Sequence, residues 1–415
     1  MSPAPRENPQ PPSGVTDLRG ASRLATDATL GLTALVEAMH ARIASLPGLQ
    51  GPEQTRGITG LVYKSIRGVT RLVAGSVDGL LGVLTPWLKT PLSGAAGPAG
   101  AATLPSRERE AIVAALNGVL GDHLAATANP LATPMTLRHA GRALTLEPTA
   151  LTESLQAALP PPTLASGRLL VLLHGLCMND LQWQREGHDH GASLAAALGY
   201  TPVYLHYNSG LAVHANGAAF AQLLPQLLAV WPQPLQRVAL LGHSMGGLVA
   251  RSALHQATVA GQVWPQHVHD LICLGTPHHG APLERAGHWV DLLLGAAPYA
   301  APLARLGRVR SAGITSLRHG QLLPGPATAQ PVHVPLPVQP RCYAVAASTG
   351  PASGALKGRQ TGDGLVPLDS ALGRHKDPAR TLHFEPDRQV QLHGLNHLQL
   401  LSRPEVLEPL LRWLR

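Results

Sequence analysis

A serine stands between glycines at a predicted strand-to-helix junction, in the segment GHSMG (242–246) of this 415-residue sequence. An apolar run, VALL (238–241), precedes the segment, and a helix-compatible stretch, GGLVARSALHQA (246–257), follows it. Such a tight turn strains the serine backbone, and flanking glycines remove side chains that would collide there. The hydroxyl is then presented at a helix N-terminus, where the dipole favours developing negative charge. A bare G-x-S-x-G can be accidental in a glycine-rich chain, but this context predicts Ser244 as a nucleophile for acyl transfer.

Acyl transfer also requires backbone donors for the oxyanion that forms on the reacting carbonyl. The N–H of Met245, directly after the serine, is the first predicted donor. The segment LLVLLHGLCMND (169–180) predicts the second, because an apolar strand is followed by His174-Gly175 and then by the N–H of Leu176. The alternative is that His174-Gly175 is only a turn. The strand before it and the helical stretch after it favour the functional interpretation.

A catalytic acid is expected after the nucleophile in the chain. Asp363 lies between two glycines in TGDGLVP (361–367), a loop that can bend a carboxylate towards a histidine. Asp369 and Asp387 are rival acids, and each is equally explained as a solvated turn residue. We therefore predict Asp363 as the acid.

The catalytic histidine is expected last, and the segment HGLNHLQLL (393–401) offers His393 and His397. His397 lies just before a predicted terminal helix over 398–414, and a loop-to-helix junction projects the ring inward. We therefore predict His397 as the general base, with the order serine, acid, histidine.

Taken together, these motifs resemble those of bacterial triacylglycerol lipases and the related GPI inositol-deacylase-like hydrolases. The matching segments are GHSMGG, the HG-x oxyanion segment, LGTPHHGAPLER, GDGLVP and NHLQLL. The resemblance covers residues 165–415 and implies an α/β-hydrolase fold and ester hydrolysis. It also implies Ser244 as nucleophile, Asp363 as acid and His397 as base.

Apolar runs separated by helical stretches predict a mostly parallel sheet with helices on both faces. A hairpin turning at Ala140-Gly141 precedes them. The predicted domains are a disordered tail (1–22), a helical N-terminal region (23–130) and an α/β-hydrolase domain (131–415) with a cap insertion at about 281–340. The predicted strands lie at 168–175, 201–207, 237–244, 270–277 and 342–348.

Three helical patterns occupy the N-terminal region. The first spans 32–43. The second, 58–84, has an apolar stripe opposite Lys64, Arg67 and Arg71. It is expected either to lie on an anionic lipid surface or to pack on neighbouring helices or on the hydrolase domain. Ser106 is the predicted N-cap of the third, which ends before Asn129-Pro130 and buries Ile112, Val113, Leu116, Val119, Leu120 and Leu124.

Composition narrows the possible partners and cofactors. The net charge is +8, but there is neither zinc-finger spacing nor an aromatic-basic sheet signature, so nucleic acid is not a predicted partner. The three cysteines do not form a disulfide framework, and Cys177 is expected to be buried and inert. The GHDH segment (187–190) is interpreted as capping or surface residues rather than a metal site. The chemistry requires no cofactor.

The leading hypothesis is a lipase or carboxylesterase that acts on an ester or lipid small molecule through an acyl-enzyme. One alternative is an acyltransferase or thioesterase acting on lipid or polyester intermediates. A second is an inactive hydrolase scaffold that binds a membrane or a partner. The N-terminus has no secretory signal pattern and the sequence has no transmembrane run, so the expected location is cytoplasmic. The alternative is a peripheral location at the surface of a membrane or lipid granule.

Overall fold

The computed structural model describes residues 19–27, 107–158, 165–281, 311–325, 330–351 and 362–415. The predicted helices over 32–43 and 58–84, the Ser106 cap and most of the predicted cap insertion lie outside these ranges. The lipid-surface hypothesis for 58–84 therefore stays a prediction. Residues 19–27 are helical, so the last four residues of the predicted disordered tail (19–22) belong to a helix.

Within these ranges, eight strands form one sheet in the order β2-β1-β4-β3-β5-β6-β7-β8. The β1–β2 hairpin is antiparallel and β1 also pairs antiparallel with β4, whereas the other neighbours are parallel. The predicted hairpin and mostly parallel sheet are thereby confirmed. The strands are β1 (Thr136–His139), β2 (Arg142–Ala143), β3 (Arg168–Leu173), β4 (Thr201–His206), β5 (Arg237–His243), β6 (Val268–Leu274), β7 (Arg341–Ser348) and β8 (Gln389–His393).

Helices flank this sheet, and the architecture is the predicted α/β-hydrolase fold. The central strands are apolar without interruption because both faces are covered: in β3, residues 169–173 are all fully buried. From residue 107 on, the helices of the described ranges are α1 (Arg107–Ala126), α2 (Pro148–Ala158), α3 (His190–Leu198), α4 (Val213–Ala229), α5 (Met245–Val259), α6 (Ala312–His319), α7 (Leu368–Ala371) and α8 (Pro404–Leu414). Within the described ranges, every helix is too short or too polar to cross a bilayer.

The third predicted helix exists as α1, and Val119, Leu120 and Leu124 are buried as predicted, whereas the rest of its predicted buried face differs. Ile112, Val113 and Leu116 are only half-buried. The small residues Ala114, Ala115, Gly118 and Gly121 are buried instead. Their size lets α1 approach the start of α6 and the loop after β4: the Ser311 hydroxyl donates to the Gly118 carbonyl at 2.7 Å, and Asn208 Nδ2 donates to the Gly121 carbonyl at 2.8 Å.

Two other features differ from expectation. Strand β8 was not predicted, although Val390 and Leu392 alternate with polar residues as in a strand. The predicted terminal helix over 398–414 is divided: a 3-10 turn covers Gln399–Leu401, and α8 begins at Pro404. Proline fits a first helical position because its missing N–H would have no partner there, so the helix starts at residue 404.

Candidate active site

Ser244 occupies the junction between β5 and α5. Its backbone has φ 55° and ψ −119°, a conformation that L side chains rarely adopt, and the residue is buried. The elbow is tight: a Cβ on Gly242 would lie 2.5 Å from Gly247 Cα, and one on Gly246 would lie 2.6 Å from the Leu173 carbonyl carbon. The Ser244 N–H donates to the Leu274 carbonyl at 2.8 Å, which anchors the turn to β6. The sequence-predicted strand–elbow–helix geometry is present.

Asp363 and His397 meet in the protein interior. The Asp363 Oδ2 and His397 Nδ1 atoms are 2.6 Å apart, and both side chains are at most 1% exposed. The other carboxylate oxygen accepts the Leu365 and Val366 N–H groups at 3.0 and 2.8 Å. The His397 N–H also donates to the Asp363 carbonyl at 3.0 Å. The Asp–His pair and the bond to the Asp363 carbonyl therefore join the two loops, while the Leu365 and Val366 bonds hold the carboxylate within its own loop.

Two residues connect this pair to the serine elbow. A Cβ on Gly275, directly after β6, would lie 3.1 Å from both Asp363 Oδ2 and His397 Nδ1. His243, the neighbour of Ser244, packs its ring against the His397 ring with centroids 4.6 Å apart. Its Nε2 lies 3.1 Å from the His397 carbonyl, and since a carbonyl only accepts, His243 is the donor. The fold thus brings Ser244, His397 and Asp363 to one edge of the sheet. Sequence reasoning missed His243, because its position in the G-x-S-x-G motif carries no chemical requirement.

The rival triad residues lie elsewhere. His393 ends β8 with an exposed side chain, near Gln391. The Asp369 side chain is 67% exposed beside Arg374, and Asp387 is exposed in a 3-10 turn. All three are exposed, whereas Asp363 is buried.

Leu176, the predicted second oxyanion donor, lies on a turn held from both sides. His174 Nδ1 donates to the Gly175 carbonyl at 2.8 Å, and the Cys177 N–H donates to Ser209 Oγ at 3.0 Å. Because a trans peptide holds its C=O and N–H on opposite sides, the first bond also fixes the direction of the Leu176 N–H. A Cβ on Gly175 would lie 3.2 Å from Ser244 Cβ, so this turn is next to the elbow.

Burial perturbs several groups around the site. It lowers the pKa of His174 to about 3 and holds the pKa of His243 well below 6.5, with His397 contributing to the latter. Both rings are therefore neutral at pH 7 and act as hydrogen-bond donors. Burial also raises the pKa of Cys177 to about 12, so its thiol is protonated and a poor nucleophile.

The GHDH segment caps a helix. The Asp189 carboxylate accepts the Ala192 N–H as N-cap of α3, and His190 Nε2 bonds the Leu400 carbonyl at 2.9 Å. These contacts agree with the capping interpretation.

In the described part of the chain, one group has the spacing of metal ligands, namely Glu110, Asp180 and His206. Arg138 Nη1 lies 3.1 Å from carboxylate oxygens of both Glu110 and Asp180, and His206 Nδ1 lies 3.0 Å from Asp180. Arg109 Nη1 also lies 3.1 Å from Glu110 Oε1, so two guanidiniums already supply positive charge for the two carboxylates. We interpret the group as a buried ion-pair network.

Part of the chain matches a known family model, and several solved structures show distant similarity. A family model described as "PGAP1-like alpha/beta domain" matches residues 217–324, and no curated protein matches the chain in sequence. Among solved structures, the mature Bacillus licheniformis lipase BlEst2 is 20% identical, with a TM-score of 0.37 over 61% of this chain and 94% of its own. A Pyrobaculum calidifontis esterase is 16% identical, with a TM-score of 0.36 over 60% of this chain and 74% of its own. The thioesterase RedJ from the prodiginine pathway of Streptomyces coelicolor is 18% identical, with a TM-score of 0.34 over 62% of this chain and 92% of its own.

Proposed function

We propose that this α/β-hydrolase is a serine hydrolase that cleaves carboxylic esters through an acyl-enzyme on Ser244. The observation that carries the proposal is the buried 2.6 Å pair of Asp363 and His397, packed through His243 against the strained serine elbow. A nucleophile, a base and an orienting acid in this arrangement are what ester hydrolysis requires. The other residues of the proposal are the Leu176 and Met245 amides as oxyanion donors.

The mechanism follows from the tautomer of His397. Hydrogen bonding of Nδ1 to the Asp363 carboxylate places the ring proton on Nδ1, so Nε2 has the lone pair of a general base. Ser244 Oγ attacks the ester carbonyl and gives its proton to His397. The imidazolium then protonates the departing alcohol, and the acyl group remains on Ser244. Water attacks the acyl-enzyme with His397 again as base, which releases the carboxylic acid and restores the serine.

The test is a series of p-nitrophenyl esters from acetyl to palmitoyl, assayed with the full chain. We expect turnover that Ser244→Ala lowers by several orders of magnitude. Ser193→Ala, a half-buried serine on α3, is the matched control and should keep full activity. The series also tests whether the cap predicted at 281–340 selects apolar acyl groups, since efficiency should then rise with chain length.

The alternatives give different results in the same assay. An acyl-CoA hydrolysed with a much higher kcat/KM than any oxygen ester would favour a thioesterase. Faster ester loss on adding an alcohol, with a new ester as product, would favour acyl transfer. Absence of turnover on esters and thioesters, together with no covalent labelling of Ser244, would favour the inactive scaffold.

A further inference from the structure

A strongly basic cleft of about 200 Å³ lies apart from the predicted triad. Its walls come from α5, the loop after β6, the end of α6 and the segments 330–334 and 375–382. Three arginines and five histidines line it, and no carboxylate does. The residues on which the argument depends are Arg251, His278, Arg318, His333 and Arg380.

Arg251, on α5, is the most unusual of these residues because its guanidinium is buried, at 3% exposure. Its Nη2 donates to the Val334 carbonyl at 2.6 Å, and its Nη1 lies 3.1 Å from His278 Nδ1. Its buried Nε has no hydrogen-bond partner, and no ion pair to a carboxylate is found for Arg251 among the described residues. Burying a charge is costly unless a counter-charge compensates it. An anion in the cleft would supply that counter-charge.

His278 adds a second donor that lacks an acceptor. A guanidinium only donates, so the Arg251 contact makes His278 Nδ1 the acceptor and places the ring proton on Nε2. His278 Nε2 is buried and without a partner. Burial and the Arg251 charge hold the pKa of His278 well below 6.5, so the ring is a neutral N–H donor at pH 7.

Arg380 provides a third donor of the same kind from another segment of the lining. Its Nη1 donates to Gln330 Oε1 at 3.1 Å and its Nη2 to the Pro331 carbonyl at 3.0 Å, while its buried Nε has no partner. Arg318, exposed at the end of α6, adds another positive charge. Asp377 acts on the pKa of His333 but does not line the cleft, so its carboxylate does not remove the excess of positive charge.

We propose that this cleft binds a phosphate or phosphate-ester dianion between Arg251, His278 and Arg380. Several N–H donors from different directions suit an oxyanion with three or more acceptor oxygens, and charge-assisted bonds to arginine are the strong ones. The cleft volume of about 200 Å³ is large enough for a phosphate group, because it is several times the roughly 30 Å³ that one water molecule occupies in the liquid. Ser244, Asp363 and His397 do not line the cleft, so the proposal is independent of the proposed ester hydrolysis.

Isothermal titration calorimetry of the full chain with inorganic phosphate, in a buffer without other multivalent anions, tests the proposal. We expect saturable binding of one phosphate. Arg251→Met and Arg380→Gln should each weaken it by about tenfold or more, the equivalent of about 1.4 kcal/mol. Because Arg251 is buried and its variant can fail to fold, the half-buried Arg380 is the second test. Arg412→Gln, on α8 and outside the cleft, is the matched control with the same charge change and should bind as the wild type does.

No heat of binding in the wild type, or equal weakening by Arg380→Gln and Arg412→Gln, would overturn the proposal. Co-sedimentation with phosphatidate-containing vesicles, against phosphatidylcholine alone, distinguishes the source of the phosphoryl group. If Arg380→Gln weakens both vesicle and phosphate binding, the ligand is a lipid headgroup. If it weakens only phosphate binding, the ligand is a soluble phosphate.

Discussion

The Asp363 carboxylate contacts the His397 imidazole at 2.6 Å while its second oxygen accepts two backbone N–H groups. The carboxylate is therefore oriented before it meets the imidazole, and it cannot rotate without breaking the bonds to Leu365 and Val366. A short bond between an oriented carboxylate and a buried ring fixes both the position and the tautomer of His397. This relationship is the basis of the first prediction.

Asp363→Asn should lower kcat by roughly three to four orders of magnitude with a smaller effect on KM. The amide can keep the packing, but it no longer favours the tautomer with the proton on Nδ1. Steady-state kinetics on a p-nitrophenyl ester measure the effect. Asp369→Asn makes the same chemical change at an exposed carboxylate and should be neutral. An Asp363→Asn enzyme with wild-type kcat would remove Asp363 from the triad.

His243→Phe should lower kcat by roughly threefold to tenfold without changing KM, the effect of losing one hydrogen bond. Phenylalanine retains an aromatic ring beside His397 but cannot donate to the His397 carbonyl, so the base is held less firmly. His243→Gln restores a donor and should recover part of the loss. A merely structural role would instead lower the melting temperature of both variants and leave kcat unchanged.

Gly118→Ala should destabilise the protein by about 1–3 kcal/mol, although alanine is a better helix former than glycine by about 1 kcal/mol. The new Cβ would lie 2.8 Å from Cys177 Cα, a backbone clash that no rotamer relieves. Urea denaturation measures the change, and kcat should fall too, because Cys177 adjoins the Leu176 amide. Ala111→Gly, half-buried on the same helix, measures helix propensity alone. A more stable Gly118→Ala protein would contradict the packing of α1 on this turn.

The free energy of unfolding should fall as the pH falls below about 6.5. Burial lowers the pKa of His174 from 6.5 to about 3 and that of His190 to about 4, so the unfolded chain binds protons that the folded chain does not. The stability due to these neutral rings is complete above pH 6.5 and is lost progressively towards the folded-state pKa values.

Urea denaturation at several pH values between 7 and 4.5 measures this dependence. His174→Gln should reduce its slope by up to about 1.4 kcal/mol per pH unit, since one proton fewer is taken up on unfolding. His393→Gln, at an exposed histidine, should leave the slope unchanged. Equal slopes in the wild type and His174→Gln would show that His174 is not held neutral by burial.

The sequence predicted the parts of the fold whose local signal is strong. Strands β3 to β7 are continuous apolar runs bounded by turns, and the elbow at Ser244 requires glycines at fixed positions. Strand β8 is weaker because its alternating side chains are only half-buried at the edge of the sheet. The buried face of α1 was predicted from its large apolar residues, of which Val119, Leu120 and Leu124 are buried. The small residues beside them are buried too because neighbouring segments approach the helix closely.

The site was predictable where chain order restricts the choice and unpredictable where distant segments meet. Asp363 and His397 follow from their order after Ser244 and from their loop context. The contact of His243 with the His397 loop joins positions 154 residues apart and depends on how β5 and the C-terminal loop pack. The basic cleft around Arg251 likewise collects residues from five segments, of which the loop after β6 alone, with His278 and His279, belongs to a quoted motif, LGTPHHGAPLER.

The most direct measurement of the central claim is mass spectrometry of the protein after reaction with a fluorophosphonate probe, which labels an activated serine covalently. If the proposed catalytic site is correct, the protein carries one label, on Ser244, and Ser244→Ala carries none. In His397→Ala the label should form at least 100-fold more slowly, because serine and histidine act as a unit. Ser193→Ala should be labelled as the wild type is. A label on another serine or on Cys177, or unchanged labelling in His397→Ala, would contradict the proposed catalytic site.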